Sequence, residues 1–387
     1  MSVDNSELLD RVRGRLAELG GEPTPAKVAA ALRFEGRLVG DSAVLEVVDA
    51  LRRDTVGAGP LDELLHRVGV TDVLVNGPNE VYVDIGQGLV LTDVRFPDDA
   101  AVRRLAQRLA STAGRRLDDG SPYVDVRLTD GTRFHAVLAP IARPGTCLSL
   151  RVPARTVMTF DDLVTAGAMA RAAVDLLLDL VAARIAFVVS GGTGSGKTTL
   201  LAALLSRVAP RERIVIVEDA SELRPDHPHV VSLEARQPNI EGAGEIPLRK
   251  LVREALRMRP DRLVVGEVRG AEVVDLLAAL NTGHEGGCGT VHANAAADVP
   301  ARFEALAGAA GLSREAVHAQ LSAALQAIVH LRRERDGSRR VAEIAVLERR
   351  RDGLVWAETA VSFSPDLSAT TGPGAARLES LLVSRQR

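Results

Sequence analysis

The chain has 387 residues, of which 46% are hydrophobic and 26% charged, and its formal net charge is −3. This length allows about two or three domains with full-sized cores, while the negative charge and the scarcity of aromatic residues argue against a broad nucleic-acid surface. Two cysteines, Cys147 and Cys288, exclude a disulfide framework or a tetracysteine zinc site. No apolar segment approaches the ~18 residues of a membrane span, so we expect a cytoplasmic protein.

The first 56 residues carry helical periodicity that is interrupted at Gly20-Gly21-Glu22-Pro23 and at Gly40. The predicted helices cover residues 6–19, 24–38 and 41–55. Together they predict a helical N-terminal subdomain over residues 1–56. This subdomain is either a docking arm for a partner or an appendage that is simply packed or mobile.

Residues 57–155 predict a small α+β domain. Short alternating runs, punctuated by glycine and asparagine, predict strands, and Asp130-Gly131 predicts a tight hairpin turn. The predicted strands cover residues 72–75, 81–85, 89–94, 123–128, 132–138 and 147–152, and the predicted helix covers residues 98–113.

A linker and connecting helix are predicted at 156–184, and strands alternate with helices over residues 185–363. This alternation predicts a doubly wound α/β sheet with its ligand at the carboxyl ends of the strands. The predicted strands cover residues 185–189, 213–218, 230–233, 262–266, 289–292, 340–347 and 353–362. The predicted helices cover residues 168–183, 247–258, 271–280, 299–307 and 313–330. We expect a C-terminal tail at 364–387 that is loose as far as the apolar run 378–383.

Residues 191–199, GGTGSGKTT, lie between a predicted strand and a helical pattern that starts at Leu200. The spacing G-x-x-x-x-G-K-[ST] in this context predicts a loop that binds the phosphates of a nucleoside triphosphate. In such a loop Lys197 reaches the terminal phosphates and Thr198 offers its hydroxyl to Mg²⁺. The chain has three lysines, and one of them stands at this position.

A triphosphate site also needs carboxylates. The strand at 262–266 is followed by Glu267, which we expect to orient or deprotonate the attacking water and to contact Mg²⁺ through water. Gly266 stands where an aspartate commonly ends this strand. The strand at 213–218 ends in Glu218 and Asp219, with Glu222 one turn later, and one of these acids is predicted to support Mg²⁺. A solvated turn is the alternative interpretation of these three acids.

The run 281–294 is dense in glycine and holds His284 and His292. A loop so rich in glycine either packs closely against a neighbouring group or moves. Its two histidines are candidate sensors of the γ-phosphate or ordinary structural residues. Five arginines surround the strand at 262–266, and any one of them could stabilise a transferring phosphoryl group. They are Arg253, Arg257, Arg259, Arg262 and Arg269.

Four stretches in order, GGTGSGKTT, VEDASEL, ALRMRPDRLVVGEVRG and NTGHEGGCGTVHAN, resemble the Walker A, Asp box, Walker B and His box of the type II/type IV secretion and pilus traffic ATPases. The resemblance is greatest to the CpaF/TadA ATPases of Flp-type (Tad) pilus assembly, including actinobacterial relatives labelled conjugal-transfer-associated. Upstream, TDVLVNGPNEVYVD, DGSPYVDVRLTDGTRFHAVLAP and LSLRVP are similar to the N-terminal domain of that subfamily. The resemblance covers about residues 57–350.

This resemblance implies a C-terminal RecA-like P-loop NTPase domain behind a small PAS-like α+β domain. It implies ATP and Mg²⁺ as ligands, water activation by Glu267, and phosphate sensing by His284 and His292. Supporting roles are implied for Glu218, Asp219 and Glu222. The implied nucleotide-binding residues are Gly192, Thr193, Gly194, Ser195, Gly196, Lys197, Thr198 and Thr199, with Arg133 and Arg151 from the N-terminal domain.

The function implied by the resemblance is that of a cytoplasmic homohexameric ATPase. Such a ring works at the inner face of the cytoplasmic membrane and powers pilus assembly or protein secretion through a membrane platform protein. One alternative is a DNA-translocating motor of conjugal transfer, against which the acidic charge and scarce aromatic residues argue. The other alternative is a nucleotide-dependent structural switch with little turnover.

Overall fold

The computed structural model describes residues 25–34, 57–86, 88–153, 157–236 and 243–385, together with Arg15 and Pro238. The chain divides into two compact units, Met1–Ala154 and Arg155–Arg387. Helix α1 (Pro25–Phe34) falls within the second predicted N-terminal helix. The first and third predicted helices lie outside the described residues, apart from Arg15. The boundaries of the five predicted segments, 1–56, 57–155, 156–184, 185–363 and 364–387, remain predictions.

In its described residues, the first unit contains a six-stranded sheet, one long helix and shorter helices. Every neighbouring pair of strands is antiparallel, in the order β3-β2-β1-β6-β5-β4. The elements are α2 (Asp62–His66), β1 (Asp72–Asn76), β2 (Val81–Asp84), β3 (Leu89–Leu91), α3 (Asp99–Thr112), β4 (Tyr123–Arg127), β5 (Arg133–Val137) and β6 (Cys147–Arg151). The Asp98 side chain caps α3 by accepting the backbone N–H of Ala101. The predicted small α+β architecture and the Asp130-Gly131 hairpin turn are confirmed.

The second unit is a nine-stranded sheet flanked by helices, in the strand order β15-β14-β13-β12-β7-β11-β10-β8-β9. The strands are β7 (Phe187–Gly191), β8 (Ile214–Glu218), β9 (Val230–Glu234), β10 (Arg262–Val268), β11 (Cys288–Val291), β12 (Ala327–Arg333), β13 (Arg339–Arg349), β14 (Val355–Phe363) and β15 (Ala369–Thr371). The helices are α4 (Phe160–Thr165), α5 (Arg171–Ala182), α6 (Lys197–Leu205), α7 (Leu248–Leu256), α8 (Glu272–Asn281), α9 (Val299–Ala309), α10 (Arg314–Ala324) and α11 (Ala375–Arg385).

The parallel part of this sheet runs from β12 through β7, β11, β10 and β8 to β9, and β7 lies inside it between β11 and β12. Strands β7 and β8 are buried along their whole length, which fits their almost uninterrupted apolar sequence. Helix α5, predicted as part of a linker, packs into the same apolar core as β7 and α6. The connecting helix therefore belongs structurally to the second unit.

The predicted helix at 313–330 is wrong over its last third. Helix α10 ends at Ala324, and β12 begins three residues later and pairs in parallel with β7. The Gln326 side chain marks the change, because its Oε1 accepts the backbone N–H of Ala186 just before β7. Helical periodicity continues through this segment, but the ladder with β7 outweighs that local preference.

The prediction of a loose tail is also wrong. Residues 369–371 form β15 against β14, and α11 follows with Leu378 buried in the core. Gly372 and Gly374 permit this return, because a β-carbon on either would lie within 3 Å of a backbone oxygen of β14. Among the described residues, no helix is both long and apolar enough to cross a membrane.

The two cysteines and the single tryptophan occupy different environments. Cys288 is fully buried in β11, and burial raises the pKa of its thiol to about 12. Cys147 is half-buried in β6 of the first unit, and burial also raises the pKa of its thiol. Trp356 on β14 is 47% exposed, with the Arg350 guanidinium 4.2 Å from its ring centroid.

Candidate active site

The glycine-rich loop leaves the end of β7 and enters α6. Gly194 and Gly196 have φ angles of 68° and 93°, a region that side chains disfavour. The buried Ser195 hydroxyl donates to the Gly192 carbonyl at 2.9 Å and closes the turn from inside. Gly192, Thr193 and Gly194 are exposed, and no described atom outside the immediate chain lies within 4 Å of where a β-carbon of Gly192 would be. The loop therefore has an open side at which a phosphate chain can approach.

Lys197, the first residue of α6, is 8% exposed and folds back into the loop. Its Nζ donates to the carbonyls of Gly191 and Gly192 at 3.0 and 2.9 Å. Burial lowers the pKa of the Lys197 ammonium, while the charge of Glu267 acts in the opposite direction. Thr198 and Thr199 complete the first helical turn and are half-buried. These positions agree with the predicted phosphate-binding arrangement.

Glu267 lies beside this lysine, near the end of β10. Its Oε1 is 2.5 Å from His292 Nε2, and its Oε2 accepts from the Arg269 guanidinium. The other nitrogen of the ring, His292 Nδ1, is 3.4 Å from Lys197 Nζ. The ring thus lies in contact with both groups, and in a neutral imidazole Nδ1 can accept from the Lys197 ammonium.

The electrostatics agree with a neutral ring. Burial lowers the pKa of His292, and the positive charge of Lys197 lowers it further, while Glu267 opposes both effects. A second proton would sit on Nδ1 and point at the ammonium group. His292 therefore connects the phosphate-loop lysine to the candidate water-activating carboxylate.

Glu218 ends β8 and is 4% exposed. Its Oε1 accepts the backbone N–H groups of Glu222 and Leu223 at 3.1 and 3.0 Å, whereas the buried Oε2 has no partner among the described residues. Burial raises the pKa of Glu218 to about 7. A carboxyl in this state exchanges a proton near neutral pH.

Gly266 has a packing role that the sequence did not reveal. A β-carbon at this position would lie 2.4 Å from Glu218 Cγ and 2.9 Å from its Oε1. The aspartate expected at the end of this strand would collide with Glu218, so the two positions share one space. Thr290 supports the same strand by donating its hydroxyl to the Gly266 carbonyl at 2.7 Å.

The remaining acids of the predicted set, Asp219 and Glu222, are exposed. The hydrogen bond with Glu267 raises the pKa of Arg269, and the charges of Asp219 and Glu222 raise it further. Arg269 therefore lies within the electrostatic influence of all three carboxylates. Their predicted supporting roles remain predictions.

His284 does not share the surroundings of His292. Strands β11 and β7 are parallel, with Cys288 opposite Phe187 and Val291 opposite Ser190, so the residues before Cys288 lie at the edge where β7 begins. There His284 Nδ1 lies 3.2 Å from the Ala279 carbonyl at the end of α8. The strand separates the two histidines, and only His292 follows its carboxyl end.

Close packing accounts for several glycines of the run 281–294. A β-carbon on Gly286 would lie 2.2 Å from Arg262 Nη1, and one on Gly289 would lie 2.6 Å from the Val265 carbonyl. Gly287 is equally confined, by the Leu280 side chain at 2.4 Å. At these three positions, the glycines permit contact with neighbouring strands and helices.

Most of the arginines around β10 have structural partners. Arg253 binds Asp275, Arg257 binds Glu254, and Arg262 is buried against Glu212. Arg259 has a φ of 54° in the turn before β10. Arg269 is the member of this set that contacts Glu267.

Arg133 and Arg151 lie opposite each other on β5 and β6 of the first unit. Arg151 binds Asp72 at 3.2 Å, and Arg133 lies 3.8 Å from Asp125. The structure thus brings the two predicted arginines together on neighbouring strands. Their contribution to nucleotide binding remains a prediction.

His330, which no sequence pattern marks as a site residue, lies in β12 beside the end of β7. Its Nδ1 is 2.9 Å from the Ser190 hydroxyl, and both residues are buried. Burial lowers the pKa of His330, and a hydrogen bond to the Asn294 backbone acts in the opposite direction. His330 therefore joins the strand before the phosphate loop to the segment after His292. It was hidden because this stretch was assigned to a helix.

The described residues contain no group of three or more His, Cys, Asp or Glu side chains that could hold a metal ion. Mg²⁺ is usually held by nucleotide phosphates, waters and one or two protein ligands, so it does not require such a group. The Thr198 hydroxyl in the first turn of α6 and the Glu267 carboxylate, which is linked to Lys197 through His292, suit such a site. The residues present are therefore compatible with a magnesium nucleotide.

Comparison with known proteins gives the family. Residues 54–368 match the family model described as type II/IV secretion system protein. The chain belongs to the type II/IV secretion system protein family. Over 354 residues, it is 56% identical to the putative conjugal transfer protein Rv3659c of Mycobacterium tuberculosis, covering 90% of this chain and 99% of that protein. The conjugal transfer protein TrbB of Rhizobium radiobacter is 32% identical over 72% of this chain and 84% of its own length.

Solved structures of secretion-family proteins share the fold. The pilus retraction motor PilT with bound ADP has a TM-score of 0.52 at 20% identity, covering 84% of this chain and 85% of PilT. The ATPase DotB of Legionella pneumophila has a TM-score of 0.50 at 18% identity, covering 84% of each chain. The predicted α/β class with a RecA-like ATPase fold is therefore confirmed.

Proposed function

We propose that this secretion-family chain is an ATPase that hydrolyses ATP with Mg²⁺ and acts as a homohexamer. The observation that carries this proposal is the connection from Lys197 through His292 to Glu267 beside an open glycine loop. A phosphate-binding cation and a candidate water-activating carboxylate are thereby held by one residue that contacts both. A loop used for phosphate binding alone would not require this arrangement.

In this proposal each group has one task. Lys197 leaves its loop carbonyls and binds the terminal phosphates, and Glu267 accepts a proton from the attacking water. Thr198 contributes a ligand to Mg²⁺, which neutralises charge on the phosphates when bound. His292 reports the γ-phosphate, because an anion beside Lys197 offsets the positive charge that lowers the pKa of its imidazole.

The cellular role proposed here is a motor at the inner face of the cytoplasmic membrane that acts through a membrane platform protein. The CpaF/TadA-like motifs support assembly of a Tad-type pilus or protein secretion. Arg133 and Arg151 belong to the same proposal as additional nucleotide-binding residues, supported by their adjacency on β5 and β6. Similarity to the conjugal transfer proteins of Mycobacterium tuberculosis and Rhizobium radiobacter favours a second candidate, a motor in conjugal DNA transfer.

The test is an ATPase assay on the purified chain with Mg²⁺, in the presence and absence of single-stranded DNA. We expect Lys197→Ala and Glu267→Gln each to lower kcat by about 10²–10³, as for other residues that stabilise a transition state. Glu267→Gln should still bind ATP. Lys250→Ala is the matched control, because Lys250 is an exposed lysine on α7 and should leave kcat unchanged.

One result of this assay tests the active site, and another decides between the two candidate functions. Wild-type turnover in Lys197→Ala would contradict the active-site assignment, and strong stimulation by DNA would favour the conjugal motor. The ring is tested separately by mass photometry with a non-hydrolysable ATP analogue. A protein that stays monomeric at micromolar concentration would contradict the hexamer.

A further inference from the structure

The hairpin formed by β12 and β13 carries five arginines between Arg332 and Arg340. Arg340 is buried and anchors the hairpin, since its guanidinium binds Glu334 at 2.8 Å and the Phe363 carbonyl. Arg333 and Arg339 differ from it, because both are exposed. Arg340 therefore serves the hairpin, while these two arginines need another explanation.

The strand register places the two exposed arginines against the phosphate loop. Leu331 pairs with Gly191, and its carbonyl lies 2.6 Å from where a β-carbon on Gly191 would be. Two residues further along β12, Arg333 Nη1 lies 3.3 Å from the β-carbon position of Gly194. From β13, Arg339 Cδ lies 3.8 Å from that of Gly196. The hairpin thus places two arginine side chains beside the phosphate loop, in addition to Lys197 within it.

The pairing of these arginines is unfavourable by itself. Arg333 and Arg339 lie directly opposite each other in the antiparallel ladder, and like charges at such positions destabilise a sheet. Within the described part of the chain, neither has a carboxylate partner, whereas their neighbour Arg340 has Glu334. Two facing guanidinium groups beside a phosphate-binding loop would be stabilised by an anion between them.

We propose that Arg333 and Arg339 bind the phosphate chain of the nucleotide from the hairpin side of the loop. This inference rests on the proposed nucleotide binding and adds two residues to it. The planar guanidinium group suits phosphate oxygens, which it can bind through two parallel hydrogen bonds. The hairpin then supplies charge that the loop, with its one lysine, lacks.

The test is the affinity for Mg-ATP, measured by isothermal titration calorimetry on the full chain. We expect Arg333→Ala and Arg339→Ala each to weaken binding about tenfold, the loss of one charge-assisted contact, and the double variant to weaken it further. Arg335→Ala is the matched control. Arg335 is exposed in the turn of the same hairpin, so this variant should bind within about twofold of wild type.

Inorganic triphosphate and one charge reversal sharpen the test. Phosphate contacts require that the double variant also loses affinity for inorganic triphosphate; a loss seen with ATP alone would overturn the assignment. Arg339→Glu should raise Tm, because it pairs with Arg333, while it weakens ATP binding, a combination that misfolding cannot produce. If wild type binds ATP and Lys197→Ala does not, but the double variant binds like wild type, the inference fails and the proposed function stands. If wild type does not bind ATP, the proposed function fails.

Discussion

The two ends of the parallel strands in the second unit use the same residue types in opposite ways. At the amino ends, buried Arg262 binds Glu212 at 2.7 Å, the Val181 carbonyl at 2.9 Å and the Gly286 carbonyl at 3.3 Å. At the carboxyl ends, Glu218 keeps a buried oxygen without a partner in the described structure, and Lys197 occupies an open loop. At the amino edge the charge of Arg262 is paired with Glu212, whereas at the carboxyl edge Glu218 keeps an unpartnered oxygen.

Residues at the amino edge of the sheet therefore stabilise the fold, whereas residues at the carboxyl edge are candidates for the chemistry. At the amino edge, buried Arg262 is neutralised locally by Glu212, although Arg184 Nε just before β7 has no partner among the described residues. The carboxyl edge holds groups with shifted pKa values: Lys197 and His292 in contact with each other, and Glu218 against Gly266, the residue before Glu267. Substitutions at the two edges should therefore have different signatures.

The largest expected effect is at the amino edge. Arg262→Ala removes the buried guanidinium and leaves half-buried Glu212 with Arg184, 3.7 Å away, so it should lower the free energy of unfolding of the second unit by about 3–5 kcal/mol. Urea unfolding followed by the fluorescence of Trp356, which lies in that unit, measures this. Arg257→Ala removes an exposed pair with Glu254 and should cost less than about 1 kcal/mol. Equal losses in the two variants would remove the distinction between the edges.

A smaller effect is expected from Gly266→Ala at the carboxyl edge. The added methyl group collides with Glu218 and should cost about 1–3 kcal/mol of stability. Glu218→Ala in the same chain removes the collision, so the double variant should be more stable than the sum of the single changes predicts. A double-mutant cycle by urea unfolding measures this coupling. Strictly additive losses would show that the two positions do not share one space.

The smallest effect concerns pH. The pKa of Glu218 is raised to about 7, so the folded chain keeps a proton that the unfolded chain releases near pH 4.5. The stability that this proton supplies is complete below pH 4.5 and is lost as the pH rises to about 7. Glu218→Gln keeps the acceptor but cannot titrate. Its Tm relative to wild type should therefore be higher at pH 8 than at pH 5, by roughly 2–5 °C.

Differential scanning fluorimetry at the two pH values measures this change. Glu63→Gln, an exposed carboxyl on α2 in the first unit, is the control and should give the same Tm difference at both. A Tm difference for Glu218→Gln that does not vary with pH would mean that the carboxyl titrates normally.

The sequence alone predicts most of the parallel strands, because continuous apolar runs that end in glycine or an acid are typical of buried strands. For the same reason it places Lys197, Glu218 and Glu267 at one edge. It fails at β12, where the residues continue the helical periodicity of α10 and become a strand only by pairing with β7, about 140 residues away. His330 and the two hairpin arginines were hidden with that strand.

The spacing of the two histidines misled in another way. His284 and His292 stand eight positions apart in one glycine-rich run, but the strand predicted at 289–292 is present as β11 (Cys288–Val291), and it runs between the two edges of the sheet. Burial of Glu218 against Gly266 is likewise a contact between residues 48 positions apart. Local patterns cannot predict such contacts, because tertiary packing determines them.

The positions of Cys147, Cys288 and Trp356 allow fluorescence energy transfer to be measured in the natural chain. The buried, weakly acidic thiol of Cys288 should resist maleimide, while half-buried Cys147 accepts an acceptor dye in mildly alkaline buffer. The sole tryptophan is then a donor in one unit, and the dye is an acceptor in the other. Energy transfer between donor and acceptor can then be measured with and without nucleotide, without a single substitution.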